Sequence, residues 1–317
     1  MQTSTAIASK PKSFKNPIKM QLPTEIRSQN DPRWCHREIM LDGLRVHLVE
    51  EGDGPIVILL HGFPEFWYSW RHQIPHLAAA GFRVIAPDLR GYNLSGKPAG
   101  VRAYGIDRLV SDVVRLIDWA GIERAHIVGH DWGGIVAWYT AMHHPEVIER
   151  LAILNAPHPD AYLRECKTSD QMRRSWYGLL FQIPRLPEFL LRSRNAAAIA
   201  RAIGDESRNP DECTPEILAA YREAALRPGA LTGALNYYRA LARPWARAAV
   251  ENRVPVEAET LVVWGTHDRF LSTGNASGLE QWVPRVRVEL LPNAGHWVQT
   301  DEPTRTSQLL IDFLSET

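Results

Sequence analysis

The stretch VGHDWGGIVAW, residues 128–138, predicts a sharp turn between a buried strand and a helix. Gly129, Gly133 and Gly134 flank Asp131, and glycine lets a chain bend this tightly because it has no Cβ atom. In the similar pattern G-x-S-x-G, the central serine is a nucleophile held at the edge of a sheet. Here the central residue is Asp131, whose charge the free N–H groups of a helix N-terminus favour. Capping of that helix by the Asp side chain is the alternative role.

The rest of the chain alternates between strand and helix patterns. The segment 107–122 has one apolar face and a glycine near its end, as expected of an amphipathic helix. Asp42-Gly43 is suited to a tight hairpin between two short strands. Continuous apolar runs, typical of strands covered on both faces, occur in PIVILLHG (55–62), FRVIAPDLRG (82–91), RAHIVGHD (124–131), ERLAILNAP (149–157), ETLVVWGTHD (259–268) and VRVELLPNAGH (286–296). The sequence therefore predicts an α/β fold with a mostly parallel central sheet and flanking helices.

The alternation stops between about His158 and Val250, where no strand pattern occurs. Helix starts are predicted at Thr168, with Gln171 three residues later, and at Thr214. We interpret this stretch as a helical cap inserted into the sheet domain. The first residues are rich in Ser, Thr and Lys, which is typical of an unstructured extension, with a targeting segment as the alternative. The predicted division is an extension at 1–30, a core formed by 31–157 and 251–317, and a cap at 158–250.

The composition limits the kinds of partner. Lys plus Arg (36) equals Asp plus Glu (36), so no overall charge attracts nucleic acid or an anionic membrane. Three scattered cysteines predict neither a disulfide framework nor a zinc site. No apolar run has the length of a membrane helix, and no secretory signal is recognisable. We expect a small neutral ligand, no cofactor or metal, a monomer or homodimer, and a cytoplasmic location.

Three motifs together resemble the α/β-hydrolase fold, and within it the soluble epoxide hydrolases. They are HGFPEFWYSWRHQIPHLAAAGFRV (61–84), DLRGYNLSGKP (88–98) and GHDWGG (129–134). The resemblance extends from about Trp34 to the C-terminus. Haloalkane dehalogenases share an Asp at this turn, so the motifs specify the fold more sharply than the activity.

The resemblance implies a role for each group at the turn. Asp131 is the expected nucleophile, because a carboxylate can displace a leaving group from a saturated carbon and form an alkyl ester. The backbone N–H groups of Trp132 and Phe63 are the expected oxyanion hole for hydrolysis of that ester. His296, in the loop after the last strand, is the expected base, and Asp268 is its acidic partner. Two alternatives stay open. The segment HGFP can be a simple turn at the end of a strand without a role in an oxyanion hole, and Asp268 can be an ordinary loop residue.

Two cap motifs resemble those that supply tyrosines to the epoxide oxygen. SWYGLLFQIP (175–184) contains Tyr177, and ALTGALNYYRAL (230–241) contains Tyr238. Leu231, Leu235 and Tyr238 lie on one helical stripe, which is also what simple packing of a cap helix requires. The resemblance implies that the two phenols hold and protonate the oxygen that leaves an apolar epoxide.

Supporting roles are expected for Glu65, His61 and Pro64 in HGFPE, with an exposed loop position as the alternative for Glu65. Haloalkane dehalogenase activity is the alternative, because Trp132 lies beside the expected nucleophile and an indole N–H can bind a halide. Phe63 argues against it, since many dehalogenases have Asn at that position. A non-catalytic receptor on the same fold is a third possibility.

Overall fold

The computed structural model describes residues 28–246 and 253–316, which form an eight-stranded sheet. The order across the sheet is β1-β2-β4-β3-β5-β6-β7-β8. The pairs β1/β2 and β2/β4 are antiparallel and the others are parallel. The strands are β1 Cys35–Leu41, β2 Leu44–Glu51, β3 Ile56–Leu60, β4 Arg83–Pro87, β5 Ala125–His130, β6 Ile148–Leu154, β7 Thr260–Gly265 and β8 Val286–Leu291. Each strand predicted from the sequence is confirmed.

Helices cover both faces of this sheet. Around the sheet they are α1 Gln73–Ala79, α2 Ile106–Trp119, α3 Trp132–His143, α10 Val298–Asp301 and α11 Pro303–Leu314. Strand β3 is buried along its whole length, which explains why its sequence is apolar without alternation. Helix α2 buries the predicted stripe, and Gly121 follows it with φ 74°, a backbone conformation suited to glycine.

Six α-helices lie between β6 and β7 in the described chain. They are α4 Pro159–Glu165, α5 Ser169–Arg174, α6 Trp176–Leu180, α7 Leu186–Glu206, α8 Pro215–Leu226 and α9 Ala230–Leu241. The predicted helix starts are confirmed, because the Thr168 hydroxyl accepts from the Gln171 N–H and the Thr214 hydroxyl from the Ile217 N–H. Helix α7 is interrupted at residues 193–196, where three consecutive residues have positive φ.

The predicted boundary between residues 250 and 251, and most of the predicted extension at 1–30, lie outside the described residues. The division into core and cap therefore stays a prediction. No helix in the described ranges is both long and apolar enough to cross a membrane.

Candidate active site

Asp131 occupies the turn between β5 and α3 in a strained backbone conformation, with φ 49° and ψ −119°. Its side chain makes no capping hydrogen bond to α3, so the alternative role as a helix cap is wrong. Glycines make room for the turn: a Cβ on Gly62 would lie 2.4 Å from the Cβ of Asp131, and one on Gly133 would lie 2.1 Å from the Leu60 carbonyl oxygen. The turn thus presents a carboxylate that the helix does not use.

Both carboxylate oxygens of Asp131 face groups predicted from the sequence. The Phe63 backbone N–H donates to Oδ1 over 2.7 Å. On the other oxygen, Oδ2 lies 3.6 Å from Nε2 of His296. As the first residue of α3, Trp132 has a backbone N–H without a partner inside the helix, and it stays the predicted second oxyanion donor.

His296 lies between two carboxylates, with Asp268 on the side away from Asp131. Nδ1 of His296 and Oδ2 of Asp268 are 2.8 Å apart, and both side chains are buried. Oδ1 of Asp268 accepts from the backbone N–H groups of Phe270 and Leu271 over 2.7 and 3.0 Å. Because its four contacts fix the carboxylate in place, Asp268 sets the orientation of the imidazole ring.

The fourth of those contacts comes from Asn155, at the end of β6. Its amide donates to Oδ2 of Asp268 over 2.7 Å and accepts from the Gly265 N–H over 2.9 Å. The sequence excluded Asn155 as the acid but did not predict this positioning role. A signal is visible in hindsight: Asn155 follows a buried strand at the same sheet edge as Asp131, and it has φ 38°.

The three groups hold one another in their charged forms. Burial disfavours a charged imidazole, but the carboxylates of Asp268 and Asp131 outweigh it and hold the pKa of His296 well above its usual range. Burial also works against both carboxylates, yet His296 outweighs it and lowers the pKa of Asp131 and of Asp268. The free protein therefore favours an imidazolium between two carboxylates.

Tyr177 of α6 and Tyr238 of α9, both in the predicted cap, line the same cavity as Asp131. Their ring centroids are 6.1 Å apart and their planes are nearly perpendicular. Burial, and next the charge of Asp131, raise the pKa of both phenols well above 10. The structure therefore brings together two protonated hydroxyl groups and the predicted nucleophile.

These groups line one cavity of about 550 Å³. That volume lies within the range of small-molecule sites. Asp131, Tyr177, Tyr238 and His296 are its polar groups around the predicted nucleophile, and five charged side chains also line it: Asp170, Arg173, Arg174, Glu206 and Arg269. The rest of the wall is apolar: Phe63, Pro64, Trp176, Leu180, Phe181, Leu191, Ala198, Ile199, Ala202, Phe270 and Trp297. Within residues 28–246 and 253–316, no group of three or more His, Cys, Asp or Glu side chains could hold a metal ion.

Comparison with known proteins identifies the family of this chain. The sequence profile of the α/β-hydrolase fold family matches residues 55–303. The chain is 42% identical over 279 residues to the AB hydrolase superfamily protein YfhM of Bacillus subtilis, covering 86% of this chain and 95% of that protein. The chain belongs to the α/β-hydrolase family.

Among members of that family, similarity is strong to proteins named epoxide hydrolases. Epoxide hydrolase 2 of Caenorhabditis elegans is 38% identical, with 89% of this chain and 81% of that protein covered. The crystal structure of the Bacillus megaterium epoxide hydrolase in complex with an inhibitor superposes with a TM-score of 0.82 at 29% identity, covering 88% of this chain and 100% of that one. Epoxide hydrolase A of Mycobacterium thermoresistibile has a TM-score of 0.78 at 34% identity, with 89% and 98% covered.

In this α/β-hydrolase, Glu65 is buried rather than exposed in a loop. Its carboxylate accepts from the Gly62 N–H and the Gln299 amide, each over 2.9 Å, and lies 2.7 Å from Nδ1 of His130. Nε2 of His130 lies 2.9 Å from the backbone oxygen of His296. Since a carbonyl oxygen can only accept, Nε2 of His130 donates to it, and Nδ1 forms the contact with the Glu65 carboxylate. The pair holds the main chain of His296 in place.

The other two predicted supporting residues hold the loop that carries Phe63. Nδ1 of His61 lies 2.9 Å from the Gly62 oxygen, and its Nε2 accepts from the Leu89 N–H over 3.0 Å. His61 is therefore neutral, and both of its ring nitrogens have hydrogen-bond partners. Pro64 lines the cavity next to Phe63.

Proposed function

We propose that this protein is an epoxide hydrolase that converts an apolar epoxide and water to a vicinal diol through an alkyl ester of Asp131. The observation that carries the proposal is that Asp131, Tyr177 and Tyr238 share one largely apolar cavity. A carboxylate supplies an electron pair to a saturated carbon, and two neutral phenols can receive the oxygen that leaves. No cofactor is needed for either step.

In the first step, an oxygen of Asp131 attacks one epoxide carbon and the bond from that carbon to oxygen breaks. The electron pair of that bond goes to the oxygen, which takes a proton from one of the phenols of Tyr177 and Tyr238. The products are an alkyl ester of Asp131, a hydroxyl group on the neighbouring carbon, and one tyrosinate. Because burial and the charge of Asp131 raise the pKa of both phenols well above 10, both are protonated at neutral pH and can donate to the oxygen that leaves.

Ester formation also changes His296. The negative charge of Asp131 is gone, so one of the causes that raise the pKa of His296 disappears. The imidazolium can then release its proton, which restores the tyrosine. What remains is a neutral imidazole beside the ester, which is the form that can act as a base.

In the second step, His296 takes a proton from water, and the resulting hydroxide attacks the carboxyl carbon of Asp131. The oxyanion that forms on Oδ1 is stabilised by the Phe63 N–H, which already lies 2.7 Å from that atom. Collapse breaks the bond between the carboxyl carbon and the alkyl oxygen, and that oxygen takes the proton of the hydroxyl group just added to the carboxyl carbon. The diol leaves, and the carboxylate of Asp131 and the imidazolium of His296 return. Protons balance over the cycle.

A haloalkane dehalogenase would use the same ester, with a halide as the leaving group. Such a protein needs N–H donors that face the halide. The indole of Trp132 instead packs edge-on against Tyr238, with ring centroids 4.8 Å apart, and it is buried. Trp132 does not line the cavity, whereas the hydroxyl-bearing rings of Tyr177 and Tyr238 do, and this arrangement favours the epoxide. A receptor that binds a ligand without converting it would not need His296 to be paired with Asp268 as a base, so this pair favours an enzyme over a receptor.

The test is to trap the ester. In His296→Gln, the first step proceeds and the second stops, so incubation with an aryl epoxide is expected to add the mass of the whole epoxide to the protein. A dehalogenase would instead add an alkyl group from a haloalkane, without the halide. Intact-mass spectrometry distinguishes the two adducts, and peptide mapping locates the ester at Asp131. If neither adduct forms and the wild-type protein makes no diol, the proposed function is wrong.

A further inference from the structure

The cap exposes an unusual concentration of apolar side chains next to the cavity. Leu179 is 78% exposed, Phe189 is 71% exposed, and Trp176 is 63% exposed. We call the exposed side chains of residues 172–194 the cap face. Single exposed apolar residues are normal on a soluble protein, but a contiguous group with a charged rim marks an interaction surface.

These side chains lie on one region because the segment that carries them is folded back on itself. Leu179 follows Trp176 by three residues on α6, and Phe189 follows Leu186 by three on α7, so each pair shares a helix face. Arg239 of α9 joins the two helices. Its guanidinium donates to the backbone oxygens of Phe181 and Ile183, and it forms an ion pair with Glu188.

The cap face is also basic, although the whole chain has no net charge. Residues 172–194 contain five arginines and one carboxylate, Glu188, which is occupied by Arg239. Arg173, Arg185, Arg192 and Arg194 are exposed, and none has an ion-pair partner in the part of the chain that the structure describes. Equal totals of basic and acidic residues thus conceal a local positive surface.

The cavity opens on this face. Trp176 is mostly exposed and yet lines the cavity, as do Arg173 and Leu191. A ligand that enters past these residues passes directly from the cap face to Tyr177. An apolar compound that is dissolved in a bilayer would therefore meet the entrance without crossing bulk water.

We propose that the cap face docks on the surface of a bilayer that contains anionic phospholipid, and that the protein takes its substrate from there. Exposed Trp, Phe and Leu beside unpaired arginines are the groups that bind a membrane interface. A second copy of this chain fits less well, because a twofold contact would place the same unpaired arginines against each other. The identity of the substrate rests on the proposed function, whereas docking does not.

The test is co-sedimentation of the full chain with vesicles of phosphatidylcholine, with and without phosphatidylglycerol. The wild-type protein is expected to bind the anionic vesicles, and raising the salt from about 0.1 M to about 1 M should weaken binding by shortening the range of charge attraction. In Arg185→Gln/Arg192→Gln, the partition coefficient should fall about fivefold per arginine. In Leu179→Ser/Phe189→Ser it should fall at least as far.

Matched variants on the sheet domain are the controls. Met40→Ser/Leu290→Ser removes exposed apolar side chains, and Arg45→Gln/Arg108→Gln removes exposed charges. Both are expected to bind vesicles like the wild type, and thermal unfolding should show all four variants folded. Absence of wild-type binding, or equal binding by cap-face and control variants, would overturn the proposal.

Light scattering tests whether a second copy of this chain, rather than a bilayer, binds the cap face. If the wild type is a dimer that the cap-face variants dissociate, and vesicles do not bind, the surface is a contact between copies and the proposal is wrong. Vesicle binding requires no turnover, so an inactive protein that binds and an active protein that does not are distinguishable outcomes.

Discussion

At the residue scale, the chemistry depends on how three charges in a row change during the reaction. His296 contacts a carboxylate on each side, 2.8 Å from Asp268 and 3.6 Å from Asp131. Only Asp131 loses its charge when it forms an ester. The pair of carboxylates therefore links the protonation of His296 to the chemical state of Asp131, and this link can be measured without substrate.

We predict that Asp131→Asn lowers the pKa of His296. Asparagine has nearly the shape of aspartate but no charge, as the ester would, so one cause that raises the pKa is removed while Asp268 keeps the other. The chemical shifts of the His296 ring protons, followed against pH by nuclear magnetic resonance, give the pKa of His296 in the wild type and in the variant. The reference is Glu188→Gln, which removes a carboxylate paired elsewhere, with Arg239. Equal pKa values in wild type and Asp131→Asn would contradict the proposed second step.

The two phenols give a second prediction at this scale. A positioned general acid contributes about 10²–10⁴-fold to a rate. Because two phenols can donate to one oxygen, the single variants Tyr177→Phe and Tyr238→Phe should each keep part of this rate enhancement. The double variant should lose about 10²–10⁴-fold in kcat/KM for an aryl epoxide. Since the pKa of both phenols lies well above 10, ring opening in the wild type should not slow as pH rises towards 10.

The control is Tyr237→Phe, one residue from Tyr238. Its hydroxyl donates to the Arg90 carbonyl oxygen over 2.9 Å and does not line the cavity. This variant should lose stability rather than kcat/KM. An undiminished rate in the double variant would exclude the phenols as donors to the epoxide oxygen.

At the scale of the element, the turn before α3 positions Asp131 by bringing two backbones into contact. A Cβ on Gly133 would lie 2.1 Å from the Leu60 carbonyl oxygen, which belongs to the central strand β3 and cannot move aside. Gly133→Ala is expected to destabilise the protein by several kcal/mol, about 3 or more, because strand and helix must separate. Urea unfolding measures the change.

Gly204→Ala is the matched control for that substitution. Gly204 lies in α7, and a Cβ there would meet its nearest neighbour, a side-chain carbon of Leu218, at an ordinary 3.6 Å. Because alanine restricts the unfolded chain and favours a helix, this variant should gain about 0.4–1 kcal/mol. Similar effects of the two substitutions would show that the close approach at Gly133 does not limit stability.

The sequence predicts such elements well because their signals are local. Apolar runs mark the strands, glycines mark the turn at Asp131, and a threonine three residues before a partner N–H marks a helix start. For Asn155 the sequence shows only its place after a buried strand, and for His130 it shows no sign of the contact that the structure gives it. Their partners Asp268 and His296 lie 113 and 166 residues away, so only the fold reveals the contacts. The net charge of the chain does not predict the positive charge of the cap face for a related reason. It sums the charges of the cap face with those of the rest of the surface.

At the scale of the whole molecule, a buried ion pair joins the residues around the sheet to the helices of the predicted cap. Arg71, just before α1, contacts the carboxylate of Glu212, which precedes α8, and both side chains are almost fully buried. Glu212 also lies 2.7 Å from Nε2 of His72, and Arg71 donates to the Tyr221 hydroxyl of α8 over 3.2 Å. These contacts hold the far side of the cap against the sheet domain.

Removing one partner of this pair leaves a buried charge without compensation, which costs about 3–5 kcal/mol. We therefore predict that Arg71→Met and Glu212→Leu each lower the free energy of unfolding by about that amount, measured in urea. The double variant should lose less than the sum of the two, because neither charge is then left alone. The exposed pair Arg45–Glu38 is the reference, and breaking it should cost at most about 1 kcal/mol. Additive losses at Arg71 and Glu212 would mean that the two residues stabilise the cap independently, through packing rather than through their charges.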